Sequence, residues 1–343
     1  MSRVIGASGN RLFVYIDDLP LIGHIAFGVI DRGTNIIQVR PTTLCPYNCI
    51  YCSVDAGPYS RHRQAEFIVD WRHLVKWVRH VVEVKGGDVI EVLIDGVGEP
   101  PTHPSIVNIV AELKKVVPRV AMETRGYTLT QSLVDALDRA GLDRLNISID
   151  TLDLEKGVFL QGVPWYRTEK VKEIVEYIAK ETRIDVHLTP VWIPGVNDKD
   201  IEEIVEWGLR IGIGKRFPPF GIQKYEVHKY GRKVPGAKEP TWREFREFLE
   251  KLEKKFSIPL HYKKLDFGFR YTKRYPTKYS RGEKISVSVA MPGWLKGEVI
   301  TVDSELSTII TVVGVKWCPE LVNKKIRVII VENQDGIYIA RPL

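Results

Sequence analysis

Cysteine is scarce in this chain, with four in 343 residues, and methionine is scarcer, with three. Cys45, Cys49 and Cys52 crowd together while Cys318 stands far off, so the cysteines do not pair sensibly into a disulfide framework. No apolar run reaches the ~18 residues that a membrane-spanning helix needs. The opening "MSRVIGASGNRLFVYIDDLP" lacks the charged-then-apolar layout of a secretory signal. A cytoplasmic protein with no membrane partner is therefore expected. Neither an internal repeat nor a low-complexity tract is present. Few Cys and Met beside abundant Lys, Arg and Glu is a composition met in thermophiles. The net charge of +7 and pI of about 9.0 permit a polyanionic partner without requiring one.

Along the chain, residues 1–34 hold short apolar runs broken by turn residues, the pattern of a small β extension. From residue 35, strand-like runs alternate with amphipathic helical stretches. The runs are "NIIQVR", "DVIEVLID", "RVAMET", "RLNISID", "IDVHLTPVWI" and "FGIQKY". Helices are expected to start near Phe67, Ser105, Thr130, Thr168 and Asp198. A last helix is expected over about Thr241 to Lys255, with Thr241 and Glu244 as a capping box. Strands that alternate with helices imply an α/β fold with a parallel sheet. A partial (β/α)6 TIM-like barrel and an open doubly wound sheet fit this periodicity equally well. In either, reactive groups belong at the carboxyl ends of the strands. This catalytic region is taken as 35–260. Residues 261–284 form a basic, aromatic linker. Residues 285–343 read as five short strands, an OB- or TRAM-like small barrel.

The three clustered cysteines lie in "RPTTLCPYNCIYCSVDAGPYSR", directly after the first strand of the α/β region. A structural zinc needs four closed ligands, and the nearest histidine, His62, forms no recognised zinc spacing. Three thiolates suit a cubane iron–sulfur cluster with one iron left for another ligand. A zinc loop, or cysteines that only pack, are the other readings of these residues.

Cys-x3-Cys-x2-Cys, with aromatic Tyr51 before the last cysteine, resembles the signature of the radical S-adenosylmethionine (radical SAM) superfamily, and the resemblance makes Tyr51 a candidate cofactor contact. The resemblance spans roughly residues 35–225. It implies that Cys45, Cys49 and Cys52 each hold one iron of a [4Fe-4S] cluster whose fourth iron binds SAM. It also implies an external electron donor such as ferredoxin or flavodoxin. "DGVGEP", residues 95–100, resembles the family's Gly-Gly-Glu-Pro segment, with Val97 in place of the first glycine. Gly98 and Glu99 are thereby candidates for the SAM amino group. "METRG" resembles the family's end of strand three, with Arg125 in place of asparagine, and makes Thr124 a candidate. Ser148 and Asp150 in "ISID" lie on one side of a strand, where related enzymes hold the SAM carboxylate and ribose. Asn197 in "PVWIPGVND" is either a cofactor contact or a helix N-cap. No catalytic residue can be assigned. One cluster uses three cysteines, so a second cysteine-bound cluster is not expected. Cys318 is expected to be buried packing.

The linker "HYKKLDFGFRYTKRYPTKYSRGEK" interleaves cations with aromatic rings, a combination that suits phosphates and unstacked bases. Arg270, Tyr271, Lys273, Arg274, Tyr275 and Lys278 are the candidate RNA contacts. Trp294, Lys296, Lys316 and Trp317 are candidate surface contacts on the terminal barrel. The layout resembles an archaeal group of radical SAM proteins with a TRAM-like end. The expected function is RNA modification, with tRNA the foremost substrate. The alternatives are a protein, peptide or metabolite substrate, or a non-catalytic RNA binder with a structural metal loop.

Overall fold

The computed structural model describes residues 3–262 and 264–343. Lys263, counted above among the linker cations, lies outside the described residues. The chain divides into two compact units, residues 1–44, 61–118 and 271–343 in the first, and 45–60 and 119–270 in the second. No described helix is long and apolar enough to cross a membrane.

The first unit begins with an antiparallel hairpin of β1 (Arg3–Ser8) and β2 (Arg11–Ile16). β3 (Gly28–Asp31) pairs antiparallel with β4 (Ile36–Arg40). β5 (Ala65–Val69) adds parallel to β2. The sequence placed a helix start near Phe67. Phe67 instead lies inside β5, and the helix, α1 (Trp71–Val84), follows Asp70, whose carboxylate accepts from the His73 amide at 2.9 Å. The parallel ladder with β2 governs Ala65–Val69, and the helical period begins only at the cap. Leu74, Val75, Val78 and Val81 give α1 its buried face. β6 (Glu91–Ile94) runs parallel to β4, and α2 (Ile106–Lys114) packs beside α1.

The second unit carries the parallel run β7 (Arg119–Thr124), β8 (Arg144–Ile147) and β9 (Asp185–Leu188), in that order. α3 (Gln131–Ala140) connects β7 to β8. Two helices, α4 (Leu154–Gln161) and α5 (Thr168–Glu181), connect β8 to β9. α4 had no forecast. Its ends are nonetheless marked: Asp153 caps the Lys156 amide, and Gly162 stops it at φ 64°. β10 (Val191–Trp192), α6 (Asp198–Ile211) and β11 (Gln223–Lys224) follow. α7 (Trp242–Phe256) starts with the expected capping box of Thr241 and Glu244.

The last five strands return to the first unit: β12 (Lys284–Pro292), β13 (Glu298–Val302), β14 (Ile309–Val313), β15 (Lys325–Glu332) and β16 (Ile339–Pro342). They close in the order β12-β13-β14-β16-β15, with β14 and β16 parallel. Val287, Val289, Val299, Ile310, Val312, Val328, Ile330, Tyr338 and Ala340 fill the barrel. The barrel is knitted into its unit through the backbone. Ile309 N–H donates to Ile22 O at 2.9 Å, Tyr338 N–H to Gly23 O at 3.0 Å, and Gln64 N–H to Trp294 O at 2.8 Å. Gly23 has to be glycine, since a Cβ there would lie 2.1 Å from Ile309 O.

Candidate functional site

The cysteine loop belongs to the second unit. Cys49 is buried, while Cys45 and Cys52 are half-buried. The loop is shaped by its own backbone: Cys52 N–H donates to Cys49 O at 3.2 Å, and Ala56 N–H points at Cys52 Sγ at 3.2 Å. Gly57 takes φ +99° against Tyr47 O, where a Cβ would sit 1.6 Å from the oxygen. Two outside segments brace the loop. Asn48 N–H donates to Gln161 O, and Ile50 N–H to Leu160 O, both at 3.0 Å, so the end of α4 pairs with it. Arg232 supplies the other brace. Its guanidinium donates to Cys49 O at 3.0 Å and to Ala56 O, pairs with Asp55 at 3.0 Å, and its amide donates to Cys52 O at 2.8 Å. Gly231 lets the backbone come that close, since a Cβ there would meet Ser53 O at 2.8 Å.

A polar network runs from Cys49 to the end of β8. Cys49 Sγ–H donates to Gln161 Oε1 at 3.0 Å. Gln161 Nε2 donates to Asp150 Oδ2 at 3.2 Å and reaches the Tyr51 hydroxyl at 3.4 Å. Tyr51 O–H donates to Asp150 Oδ2. Arg125 Nη1 donates to the Tyr51 oxygen at 2.5 Å and to Asp150 Oδ2 at 3.0 Å, with its guanidinium over the Tyr51 ring. Val191 N–H donates to Asp150 Oδ1 at 2.8 Å. Burial pushes the Cys49 thiol up to about 12, with the Arg125 charge opposing. Burial likewise raises Tyr51 well above its ordinary value. Arg125 stays charged: burial works against it, but Cys49, Tyr51 and Asp150 together raise its pKa.

The forecast residues divide. Tyr51 and Asp150 join Cys49 in this network. Thr124 is buried at the end of β7 and accepts from Gly126 N–H at 3.0 Å. Ser148 is half-buried, and its amide donates to Thr124 O at 2.9 Å. Asn197 is fully buried, and its amide is occupied by the chain: Nδ2 donates to Asp150 O at 3.0 Å and Val191 O at 2.9 Å, and Oδ1 accepts from Ile193 N–H at 2.8 Å. It precedes α6 without capping it through its side chain. Asn197 thus acts on its surroundings by holding Asp150 and Val191 in place.

Gly98 and Glu99 lie in the first unit. Glu99 N–H donates to Leu44 O at 2.7 Å, and Gly98 packs so closely on Thr43 and Leu44 that a Cβ would lie 2.4 Å from the Thr43 carbonyl carbon. Arg63, fully buried, ties this loop down: it donates to Thr43 O at 2.9 Å and to Val97 O, and pairs with Glu66 at 3.0 Å. Its other face lies over the Trp294 ring. Trp294 is therefore buried and not the surface contact expected from sequence. Cys318 is exposed, against the expectation of buried packing, because the stretch after β14 turns outward into a short 3-10 turn.

Much of the linker is committed inside the first unit. Lys278 Nζ donates to Asp303 at 2.5 Å, Glu305 at 2.6 Å and Ser307 at 2.7 Å. Arg274 pairs with Asp335 at 3.4 Å. Tyr275 is half-buried, its amide on Asp31 at 2.6 Å and its hydroxyl on His80 at 3.1 Å. Tyr271 is 68% exposed, and Arg270 and Lys273 are exposed.

Gln161, Arg232 and Arg63 had no sequence forecast. Their only signal was a neighbouring glycine or the cysteine loop nearby, since each acts through tertiary contacts far along the chain.

A sequence model described as the radical SAM superfamily matches residues 39–208. The uncharacterized protein MJ0103 of Methanocaldococcus jannaschii is 34% identical, over 96% of this chain and 81% of its own. A GTP 3',8-cyclase of Hydrogenovibrio crunogenus is 29% identical over 54% of this chain and 55% of its own, so the chain spans about half of that relative. Among solved structures, SuiB of Streptococcus suis bound to S-adenosylmethionine aligns with TM-score 0.49 at 17% identity, over 72% of this chain and 49% of that one. A likeness at that level carries nothing about chemistry.

Proposed function

The chain belongs to the radical SAM superfamily, and from that premise we propose an enzyme that modifies RNA, tRNA foremost. Enzymes of this superfamily use a [4Fe-4S] cluster and SAM. The second unit fits such a group. Three cysteines share one braced loop, Ala56 N–H already addresses a sulfur, and Asn48 Oδ1 is a buried acceptor without a hydrogen-bond partner. Among the described residues no three His, Cys, Asp or Glu side chains gather around one ion. A cubane asks for no such gathering, since each thiolate takes a different iron. When bound, the cluster supplies an electron that breaks a sulfur–carbon bond of SAM and yields the radical that takes hydrogen from substrate.

We assign iron binding to Cys45, Cys49 and Cys52. SAM contacts remain with Thr124, Ser148 and Asp150, and with Gly98 and Glu99 from the resemblance. Tyr51 and Asn197 hold Asp150. The parallel runs of strands support a partial (β/α)6 barrel. The closing order of the terminal strands, first-second-third-fifth-fourth with third and fifth parallel, supports an OB-like barrel. Ferredoxin or flavodoxin is the electron donor we expect, a cytoplasmic location remains our expectation, and the Methanocaldococcus relative supports an archaeal source.

One observation carries the RNA reading. Lys284 on β12 and Lys325 and Arg327 on β15 are all exposed, and the register sets Ser286 opposite Arg327 and Ser288 opposite Lys325. Val287, Val328 and Ile330 point inward, so the three cations share the outer face. None of the three is in an ion pair among the described residues. This face, with Tyr271 and Lys273, replaces Arg274, Tyr275 and Lys278 as the proposed RNA contact. The test is binding of labelled tRNA by the full chain across salt concentrations. Three phosphate contacts give a log–log slope of about −2 on single strands, and K284M, K325M and R327M together should abolish most of it. Nucleoside mass spectrometry of a strain without the gene reads the modification. Absence of salt-sensitive binding removes RNA. The GTP 3',8-cyclase relatives then favour the second reading, a small nucleotide substrate.

A further inference from the structure

We propose that the irregular segment 225–241, between β11 and α7, is the docking surface for a small acidic protein that delivers single electrons to the cysteine loop. The inference rests on that loop being the iron site.

The segment has no helix or strand of its own. Unstructured connections of this length are uncommon in compact proteins and usually serve a purpose beyond connection. This one is tied down at several points. Lys224 Nζ pairs with Glu239 at 2.7 Å, and Val227 N–H donates to the same carboxylate at 3.0 Å, which draws the two ends together. Val234 N–H donates to the Tyr225 hydroxyl at 3.0 Å. The middle lies on the cysteine loop through Gly231 and Arg232. Bracing uses only those two residues. The side chains on either side of them, Lys229, Tyr230 and Lys233, are exposed, as is Lys238. Lys229 Nζ sits over the Tyr230 ring at 5.1 Å. Among the described residues none of the three lysines is in an ion pair. The nearby carboxylates are already engaged, Glu226 and Glu239 with Lys224 and Asp55 with Arg232. The segment therefore presents positive charge beside an aromatic ring, on the backbone that carries the cysteines.

Position decides the partner. The network at the end of β8 meets Cys49 through its sulfur, whereas this segment meets Cys49 through its carbonyl. A substrate has to reach the strand ends. An electron has only to reach the loop. Electron transfer weakens steeply with distance and needs no bond between the partners, so a carrier must come close without entering the site. Such encounters bury little surface, under about 1,200 Å², an area within the reach of one long loop. Exposed cations at the rim steer an acidic partner and speed its arrival without locking it in place. In the step itself one electron leaves the reduced carrier and arrives at the iron site. No proton moves, and no bond forms or breaks.

The experiment measures binding of the reconstituted full-length protein to an acidic ferredoxin and to an acidic flavodoxin across salt concentrations, with basic cytochrome c as the control. Wild type should bind at least one acidic carrier, more weakly as salt rises, and should not bind cytochrome c. The variant with K229Q, K233Q and K238Q together should bind that carrier roughly tenfold more weakly at low salt, since each exposed charge contact is worth at most a few-fold. K284M, K325M and R327M remove as much charge from the barrel and should leave carrier binding unchanged. SAM cleavage driven by the reduced carrier should fall in the K229Q, K233Q, K238Q protein. Cleavage driven by dithionite, which needs no docking surface, should not. Wild-type carrier affinity in that protein, equal losses in both triple variants, or no binding of either carrier by wild type overturns the proposal. So does a K229Q, K233Q, K238Q protein that loses salt-sensitive tRNA binding and keeps the carrier. Wild-type protein that holds no iron, or that cleaves no SAM with dithionite, refutes instead the iron assignment beneath it.

Discussion

The cysteine loop and the basic linker are both short, chemically distinctive stretches, and they behave differently in the folded protein. The loop keeps its three cysteines on one short segment whose backbone is held from outside by α4 and Arg232. Two of the linker's cations are taken up by carboxylates of the fold: Lys278 by Asp303 and Glu305, and Arg274 by Asp335. A cysteine cluster has few alternative uses in a reduced protein, so its spacing is informative by itself. A lysine can pair with any carboxylate the fold brings near, and local sequence does not contain that carboxylate.

The largest expected effect breaks the loop. Replacing Cys45, Cys49 or Cys52 singly with Ala should abolish both the iron content of reconstituted protein and anaerobic SAM cleavage, read by iron analysis and chromatography of 5′-deoxyadenosine. Full iron retention in any one would remove that residue from the ligand set.

Next comes the brace. Arg232→Met takes the guanidinium away from Asp55, which is 3% exposed, and from the carbonyls of Cys49 and Ala56. Breaking one side of a buried pair costs about 3–5 kcal/mol. Urea denaturation should show a loss of that order, together with faster release of iron. A change under about 0.5 kcal/mol, the usual range of surface substitutions, would mean that the loop holds itself.

The linker should respond in the opposite sense. Lys278→Met strips a buried carboxylate, Asp303, of its cation while Tyr279 and Ser307 still donate to it. A loss of about 1–3 kcal/mol is expected, with the salt slope of tRNA binding unchanged. K284M, K325M and R327M should do the reverse, sparing stability and flattening the slope. If Lys278→Met flattens the slope as much, Lys278 contacts RNA after all.

The smallest effect compares the two units through pH. Burial, with help from Arg40, lowers His24 in the first unit to about 3. Burial lowers His187 in the second to about 4, with Arg144 adding to it and the bond to Pro218 O opposing. Both are neutral when folded, while the unfolded chain takes up protons below about 6.5. Unfolding then binds protons, so stability is complete above about pH 6.5 and falls as pH drops toward 4. Each histidine adds up to about 1.4 kcal/mol per pH unit in that window. Urea midpoints measured between pH 7 and 4.5 should fall less steeply in His187→Gln than in wild type. An equal slope would show that His187 is solvated.

Legibility followed the range of the forces involved. Helix α7 was readable because its capping box lies within four residues, and the five terminal strands because each is a short, β-branched apolar run bounded by turn residues. Phe67 misled because strand and helix periods overlap for a few residues, and the pairing with β2 decides the matter from fifty positions away. Cys318 misled because apolar neighbours in sequence do not guarantee burial in space. Asn197 stands at the N-cap position of α6, but its side chain bonds Asp150 far along the chain and the nearby Val191 and Ile193 instead of a helix amide, which no local pattern discloses.

By itself the sequence determined the family: three cysteines at the radical SAM spacing, after a strand of an α/β repeat. It also determined the elements whose signals are local, namely caps, turns and alternating strands. Only the tertiary structure decided which charges stay available and which side chains surround the thiolates. Gln161, Arg125 and Asp150 meet Cys49 across more than seventy residues. Hydrogen bonds and ion pairs act over a few ångströms in space, and no residue's neighbours in sequence disclose which distant groups folding will bring within that reach.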